Sequence, residues 1–311
     1  MKIALLGYMG YWGQKLYRMF DQLSQTIFPI DPSSGVHDFE QHKKMRIKDC
    51  DAVVIVTPPE THYALVKEAL EAGKHVLVEK PFVKTYDQAL ELVDLAAASG
   101  LTLMVDHTYV YSPAVRKIKE VLESGELGDI IYVEGVRINL GIFQEVNVFY
   151  DLLPHDFGIF HYLFGSEGVQ SVFGKAYSAV SNIDTVHAFL DFEGMTYAHF
   201  HVGWFSPIKV RRMLIAGAEK MLVYDDLQED FKVQVCDKGV AQFGDVIKHR
   251  SGDVSIPKLE SGEPLMTMAK HFLDCCEGKQ ECMTDGRSAA EGIKMIQALI
   301  VSSTEGREIW I

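Results

Sequence analysis

Short unbroken apolar runs alternate with stretches of helical spacing through the first hundred residues. Lys2 to Leu6, Ala52 to Val56, His75 to Val78 and Leu101 to Val105 read as strands, and Thr61 to Ala72 and Tyr86 to Ala98 as amphipathic helices. Thr85, with Gln88 three residues on, forms a capping box that starts the second of these helices. Strands alternating with helices predict a parallel sheet covered on both faces, and right-handed crossovers make it doubly wound.

The pattern changes after Val105. Pro113 to Ser124 reads as a helix, with Ser112 as N-cap, Pro113 at the first helical position and Gly125 as its stop. A strand from Ile130 to about Leu140 and a helix carrying His155 follow. Strand-like runs then cover Val169 to Val180, Thr185 to Phe192, Thr196 to Phe205, Val210 to Ala216, Met221 to Tyr224 and Phe231 to Val235. Turns as short as Glu193-Gly194 predict that these strands pair antiparallel. Helices near Leu265 to Cys276 and Arg287 to Ser302 close the chain. The expected fold is therefore α/β: a Rossmann-type doubly wound parallel sheet over residues 1–106, then an α+β domain with a predominantly antiparallel sheet over residues 107–311.

Composition narrows the partners. At 311 residues the chain is long for one core, and 48% apolar residues are enough to fill two. A formal charge of −13 argues against nucleic acid and against an anionic membrane surface. The apolar run at the start is too short for a signal peptide, and no later run approaches the ~20 residues of a membrane span, so the cytoplasm is the expected compartment. Cys50, Cys236, Cys275, Cys276 and Cys282 are odd in number and lack C-x-x-C spacing. They read as reduced packing residues, with no disulfide and no metal site expected. His199 and His201 alternate on one strand face; without a third ligand in sight they read as a half-buried sheet face rather than a metal pair.

The strand Lys2 to Leu6 runs into Gly7-Tyr8-Met9-Gly10-Tyr11-Trp12-Gly13 and then a helix. Glycines at such a turn let the backbone approach a pyrophosphate and expose helix N-terminal amides to the anion. The spacing G-x-x-G-x-x-G is one residue longer at the front than the usual fingerprint. Asp31 closes the next apolar run, Thr26 to Ile30, where a carboxylate can hydrogen-bond a ribose diol. No arginine follows Asp31 closely, which favours NAD over NADP, with NADP as the alternative. The bland alternative is a tight turn with Asp31 capping the next loop.

Candidate chemistry collects at predicted strand ends. Lys80, in Glu79-Lys80-Pro81-Phe82, follows the strand His75 to Val78, where doubly wound folds place ligands and a lysine can exchange a proton with a substrate hydroxyl. Thr57-Pro58-Pro59-Glu60-Thr61-His62 ends another strand, and Asp106-His107-Thr108-Tyr109 a third; His62 could equally cap a helix, and the last stretch could equally pack between domains. Asp151 and His155 lie four residues apart, so on one helix the carboxylate would orient the imidazole. Taken alone, Asp151 could be an N-cap and His155 a core histidine.

These residues resemble the glucose-fructose oxidoreductase and inositol dehydrogenase (Gfo/Idh/MocA) family nearly end to end. The resemblance rests on the glycine turn, Thr57-Pro58 through His62, Glu79-Lys80-Pro81, His107 through Pro113, Asp151 with His155, and Thr284-Asp285-Gly286. It implies that the second domain has an open sheet, binds substrate and forms homodimers or homotetramers. It implies proton transfer by Lys80 and His155, support from Asp151, and substrate contacts from Lys80, His107, Tyr109, Asp151 and His155. Gly7, Tyr8, Met9, Gly10, Tyr11, Trp12, Gly13, Asp31, Thr57, Pro58, His62, Glu79 and Lys80 match the cofactor site. The stretch Asn147 to Asp156, with Trp204 and Lys209-Val210-Arg211, is similar to a subgroup found around sugar-nucleotide and polysaccharide biosynthesis; Lys209, Arg211 and Arg212 could meet an anionic substrate or form a strand-edge cluster. The activity implied is an NAD(P)-dependent hydride transfer at a secondary alcohol of a sugar, sugar nucleotide or cyclic polyol. Two other readings fit the same residues: an NAD-dependent hydrolase or lyase working by transient oxidation, and a dinucleotide-binding regulatory protein without turnover.

Overall fold

The apolar runs of the first hundred residues become β1 (Lys2–Leu6), α1 (Tyr11–Gln22), β2 (Thr26–Ile30), α2 (Phe39–Asp49), β3 (Ala52–Ile55), α3 (His62–Glu71), β4 (His75–Glu79), α4 (Tyr86–Ala98) and β5 (Leu103–Asp106) in the computed structural model. Then come α5 (Pro113–Glu123), β6 (Ile130–Leu140), α6 (Val148–Asp151), α7 (Leu153–Phe164), β7 (Val169–Tyr177), β8 (Thr185–Phe192), β9 (Tyr197–Gly203), β10 (Phe205–Gly217) and β11 (Met221–Asp225). The chain ends with β12 (Val233–Phe243), β13 (Val246–Ser255), α8 (Pro264–Cys276), α9 (Gly286–Glu305) and β14 (Ile309–Trp310). The structure describes residues 1–35, 38–141, 143, 146–165, 167–180, 182–243 and 246–311. Among these residues no helix is long and apolar enough to cross a membrane.

Two compact units result: Met1–Ser112 with Gly262–Lys294, and Pro113–Ser261 with Met295–Ile311. A contiguous division after Asp106 is what the sequence pattern suggests, yet Gly262–Lys294 packs with the first unit. Thr284 explains why: its carbonyl accepts from Val105 N–H and its hydroxyl donates to the Val105 carbonyl, each at 2.8 Å, while Met104 and Asp285 form an antiparallel bridge. The edge of the sheet beyond β5 is thereby paired rather than left open.

In the first unit the strands lie in the order β2-β1-β3-β4-β5, all parallel. Every residue of β3 is buried, as expected of a central strand covered on both faces. The chain order reverses between β1 and β3, and at such a switch point the loops leaving the strand ends open a crevice for ligands. Thr85 caps α4 as the sequence predicts, its hydroxyl accepting from Gln88 N–H at 3.3 Å.

In the second unit the order is β13-β12-β11-β10-β6-β9-β8-β7-β14, antiparallel except for the parallel pair β6 and β9. One face is covered by α7, whose Phe157 and Phe160 meet Phe200 of β9 edge-on at 5.4 and 5.7 Å. A buried ion pair also joins α7 to the sheet: Arg137 of β6 donates to both carboxylate oxygens of Asp156 at 2.8 and 3.0 Å. Both side chains are less than one tenth exposed.

Candidate functional site

The glycine turn meets the demands of an anion cradle. Gly7, at the end of β1, holds φ +87°, and a Cβ there would lie 2.6 Å from the Val56 carbonyl oxygen. A Cβ on Gly13 would lie 2.2 Å from the Gly7 carbonyl oxygen, so only glycine lets the first turn of α1 settle on the loop. Gly10 is the N-cap and offers no side chain to the first-turn amides, which carry no acidic neighbour either. Those amides and the positive end of the helix dipole suit a phosphate. The extra residue in the motif has a structural use, because Met9 N–H donates to Asp31 Oδ2 at 3.0 Å and ties the turn to the end of β2. The side chains of Tyr11 and Trp12 face outward, with the Lys15 ammonium over both rings at 4.3 and 4.7 Å; their contribution to the cradle is backbone.

Asp31 stands over a cavity of about 420 Å³ that Gly7, Gly10, Thr57 and Pro58 also line. Burial acts to raise its pKa, but hydrogen bonds from Ser33 and Met9 outweigh this and hold the carboxyl below its ordinary range. It is an ionised acceptor on the wall of this cavity. Lys43 of α2 borders the same cavity, a residue the sequence pattern does not single out because α2 has little amphipathic character to reveal it. Glu40 and Glu68 pair with its ammonium at 2.9 Å each, so the cation is neutralised locally. An added phosphate would meet Asp31 and Glu40 on the cavity wall beside a lysine already paired with two carboxylates, which agrees with NAD over NADP.

Beyond the switch point, the ends of β3 and β4 are braced by His62. It is fully buried, and its two ring nitrogens lie 2.9 Å from the carbonyl oxygens of Thr57 and Pro81. Burial lowers its pKa against the pull of those carbonyls. His62 thus fixes the backbone on which Thr57 and Lys80 are carried. Thr57 and Thr61 join hydroxyls at 2.6 Å, and Pro58 receives the Thr61 hydroxyl at 2.7 Å. Glu79 pairs in register with Asp106, and the Lys80-Pro81 peptide is cis. Asp106 is buried; it accepts from Thr108 N–H at 3.0 Å and from the Thr108 hydroxyl. Burial raises its pKa, opposed by those hydrogen bonds and by the charge of Lys80, which places the ammonium within electrostatic reach. His107 is buried and Tyr109 half-buried just beyond it. The first unit therefore gathers the glycines, Asp31, Thr57 and Pro58 at one cavity, and places Glu79, Lys80, His107 and Tyr109 at the neighbouring carboxyl ends of β4 and β5.

Asp151 and His155 belong to the second unit. Asp151 closes α6 and His155 lies in the first turn of α7, which begins two residues later because Pro154 has no N–H to continue the ladder. Asp151 is not an N-cap: its Oδ2 accepts from Trp204 Nε1 at 3.1 Å. Asp156, next to His155, is the residue that clamps α7 to Arg137, and nothing in the sequence pattern marks that pair. Asp151 and Asp156, on either side of His155, are thus each held by a charge-assisted bond, one from Trp204 in the bend between β9 and β10 and the other from Arg137 of β6. Arg211 and Arg212 pair with Asp226 at 3.5 Å and Asp225 at 2.8 Å, so they are charge-compensated rather than a bare anion site; nor are they a strand-edge cluster, because β10 lies inside the sheet between β11 and β6.

His199 and His201 are joined by His187 of β8, directly opposite His201 in the sheet register. The rings stack, His187 on His201 at 4.1 Å and on His199 at 5.6 Å. Burial lowers all three pKa values; His187 and His199 add to the effect on His201, bringing it to about 4, while Glu134 opposes it at His199. Folded pKa values below the unfolded value make this a stabilising neutral cluster above about pH 6.5, lost as pH falls towards 4. A Tm series across that window should fall on acidification, and His201→Gln should flatten the fall.

Residues 2–107 match the family model described as an oxidoreductase family with an NAD-binding Rossmann fold, and residues 115–223 match the GFO/IDH/MocA C-terminal domain. Similar curated proteins include scyllo-inositol 2-dehydrogenase (NAD(+)) of Bacillus subtilis, 26% identical over 67% of this chain and 65% of that one. Another is UDP-N-acetylglucosamine 3-dehydrogenase of Acidithiobacillus ferrooxidans, 27% identical over 60% of this chain and 59% of that one. The matched regions span 26% to 65% of the length of the first such relatives. The solved structure of the Acidithiobacillus enzyme shares the fold, with a TM-score of 0.79 at 22% identity over 97% of each chain. NAD is the dinucleotide of the matched Rossmann fold.

Proposed function

We propose, because the chain belongs to the Gfo/Idh/MocA family, that it is an NAD-dependent dehydrogenase acting on a secondary alcohol of a sugar, sugar nucleotide or cyclic polyol. The observation that carries this reading is the cradle of Gly7, Gly10 and Gly13 with the ionised Asp31, in a chain that also holds Lys80, Asp151 and His155. Bound there, NAD accepts or returns a hydride. The protein's part is positioning and proton transfer. Lys80 or His155 takes the hydroxyl proton, and Asp151, held by Trp204, supports the imidazole. Glu79, Thr57 and Pro58 line the cofactor side, and His107 and Tyr109 contact substrate.

The substrate class is supported by relatives that act on an inositol and on a sugar nucleotide. A homodimer or homotetramer in the cytoplasm belongs to the same reading. Phe173, Phe189 and Tyr177 support self-association: they stand exposed on one face of β7 and β8, where a second copy would cover them.

A screen of sugars, inositols and sugar nucleotides with NAD and NADP in parallel, following reduced nicotinamide, tests the proposal. A dehydrogenase accumulates reduced cofactor in step with product. Product without accumulation points to transient oxidation, and binding with neither points to a regulatory protein. Asp31→Ala should weaken NAD binding roughly ten- to hundredfold through loss of a charge-assisted hydrogen bond, with kcat at saturating NAD little changed. Titration of the variant by calorimetry reads the first effect and saturating kinetics the second.

A further inference from the structure

Away from the cofactor cavity, the first unit brings together His271, Cys275 and Cys282, residues whose spacing in the sequence gives no sign of a common purpose. His271 and Cys275 are one turn apart on α8 and share a face; Cys282 arrives from the segment before α9. One ring nitrogen and the two sulfurs all lie within 4.8 Å of one another, and His271 Nε2 is 3.3 Å from Cys275 Sγ. His271 and Cys275 are buried and Cys282 is half-buried.

The hydrogen bonds around the ring fix its tautomer. Met283 N–H donates to Nε2 at 3.2 Å, so Nε2 carries the lone pair. The proton is then on Nδ1, which donates to Gln280 Oε1 at 3.1 Å, and Gln280 in turn donates to Asp274 Oδ2 at 3.3 Å. A lone-pair nitrogen 3.3 Å from one thiol sulfur and within 4.8 Å of a second, with the other ring nitrogen held by an outer hydrogen bond, resembles the setting of metal-bound histidines. Bonds of about 2.3 Å to sulfur and 2.0–2.1 Å to nitrogen put tetrahedral donors about 3.5–3.8 Å apart. The 3.3 Å between His271 Nε2 and Cys275 Sγ is close to that separation, and no two of the three donors are more than 4.8 Å apart.

From this geometry we propose that His271, Cys275 and Cys282 form a site for a thiophilic divalent cation of the Zn²⁺ type. Two sulfurs and an imidazole, without a carboxylate among the three, select against magnesium and calcium. Both thiols lose their protons on binding, and the cation replaces the Met283 N–H at the Nε2 lone pair. Cys275 and Cys282 also line a cavity of about 290 Å³ together with Gln280 and Asp285, room from which water or a small ligand would complete the coordination. Cys275 and Cys282 thus depart from the packing role expected of the cysteines, because the fold supplies the histidine that their spacing does not reveal.

The test uses the full chain, reduced, treated with chelator and dialysed, then titrated with Zn²⁺ and with Co²⁺ as a spectroscopic probe. The expected result is one tight equivalent per chain, with the thiolate-to-Co²⁺ charge-transfer band. Cys275→Ser and Cys282→Ser should abolish the band. Gln280→Ala keeps all three ligands and should weaken binding about 10- to 100-fold, a loss that a merely packed cluster would not show. His199→Gln and Cys236→Ser, both in the second unit, should leave binding unchanged. No tight equivalent, binding that survives Cys275→Ser, loss through His199→Gln, or a Cys275–Cys282 disulfide with no metal would each overturn the proposal.

Discussion

Lys80→Met should lower kcat by about 10²- to 10⁴-fold while NAD binds with nearly unchanged affinity. The size follows from the role. A positioned proton-transfer group lowers the barrier only in the transition state, so its loss falls on kcat rather than on cofactor affinity. The position follows from the fold: Lys80 leaves the carboxyl end of β4, its backbone braced by His62, beside the buried Asp106. Lys80→Arg keeps the charge but carries a guanidinium that does not give up its proton, and it should be nearly as slow as the Met variant if the role is proton transfer. His155→Ala should produce a loss of the same order. If both residues serve one proton, the double variant should be little slower than the worse single one, because groups acting as a unit are non-additive. Stopped-flow measurement of the reduced nicotinamide with each variant, beside calorimetric NAD titration, reads both quantities.

The second large effect is on stability. Asp156→Ala should cost roughly 3–5 kcal/mol, because it leaves the buried Arg137 guanidinium without its carboxylate. A Tm lower by about 10 °C is the calorimetric signature. Replacing both partners, Arg137→Met with Asp156→Leu, should restore most of that loss, since the pair's desolvation offsets much of its attraction. The restored protein separates folding from function. Asp156 adjoins His155, so a stable double variant with reduced kcat and ordinary NAD affinity would show that the pair positions the imidazole. Full activity would confine the pair to packing.

The sheet of the first unit was legible because its strands are continuous apolar runs and its helices carry ordinary caps, as at Thr85. The glycine turn and Asp31 were legible because their chemistry is local: a positive φ, a helix start and a carboxylate at a strand end. What escaped is non-local or polar. In α2 only Lys43 and Ile47 are buried, so no apolar stripe announces it. The outer strand β13 is exposed along almost its whole length and lacks the alternation that marks a half-buried strand. Thr284 and Asp285 read as a motif, but only the fold shows that they pair with the edge of β5. The Arg137–Asp156 clamp and the His271, Cys275 and Cys282 cluster join residues whose sequence separation carries no periodic signal. Buried polar pairs of this kind are specified by the packing around them, and pattern reading along one chain does not reach them.

Under the proposed function, a hydride passes from a carbon of a hydroxylated substrate to NAD. The most direct measurement takes an alcohol active in the screen, places deuterium on the carbon that is oxidised, and weighs the recovered reduced cofactor by mass spectrometry. One deuterium is expected in each molecule of reduced cofactor, together with a slowed single turnover because the bond that breaks is C–D. Reduced cofactor without the label, or label released to water while the product forms, would contradict it.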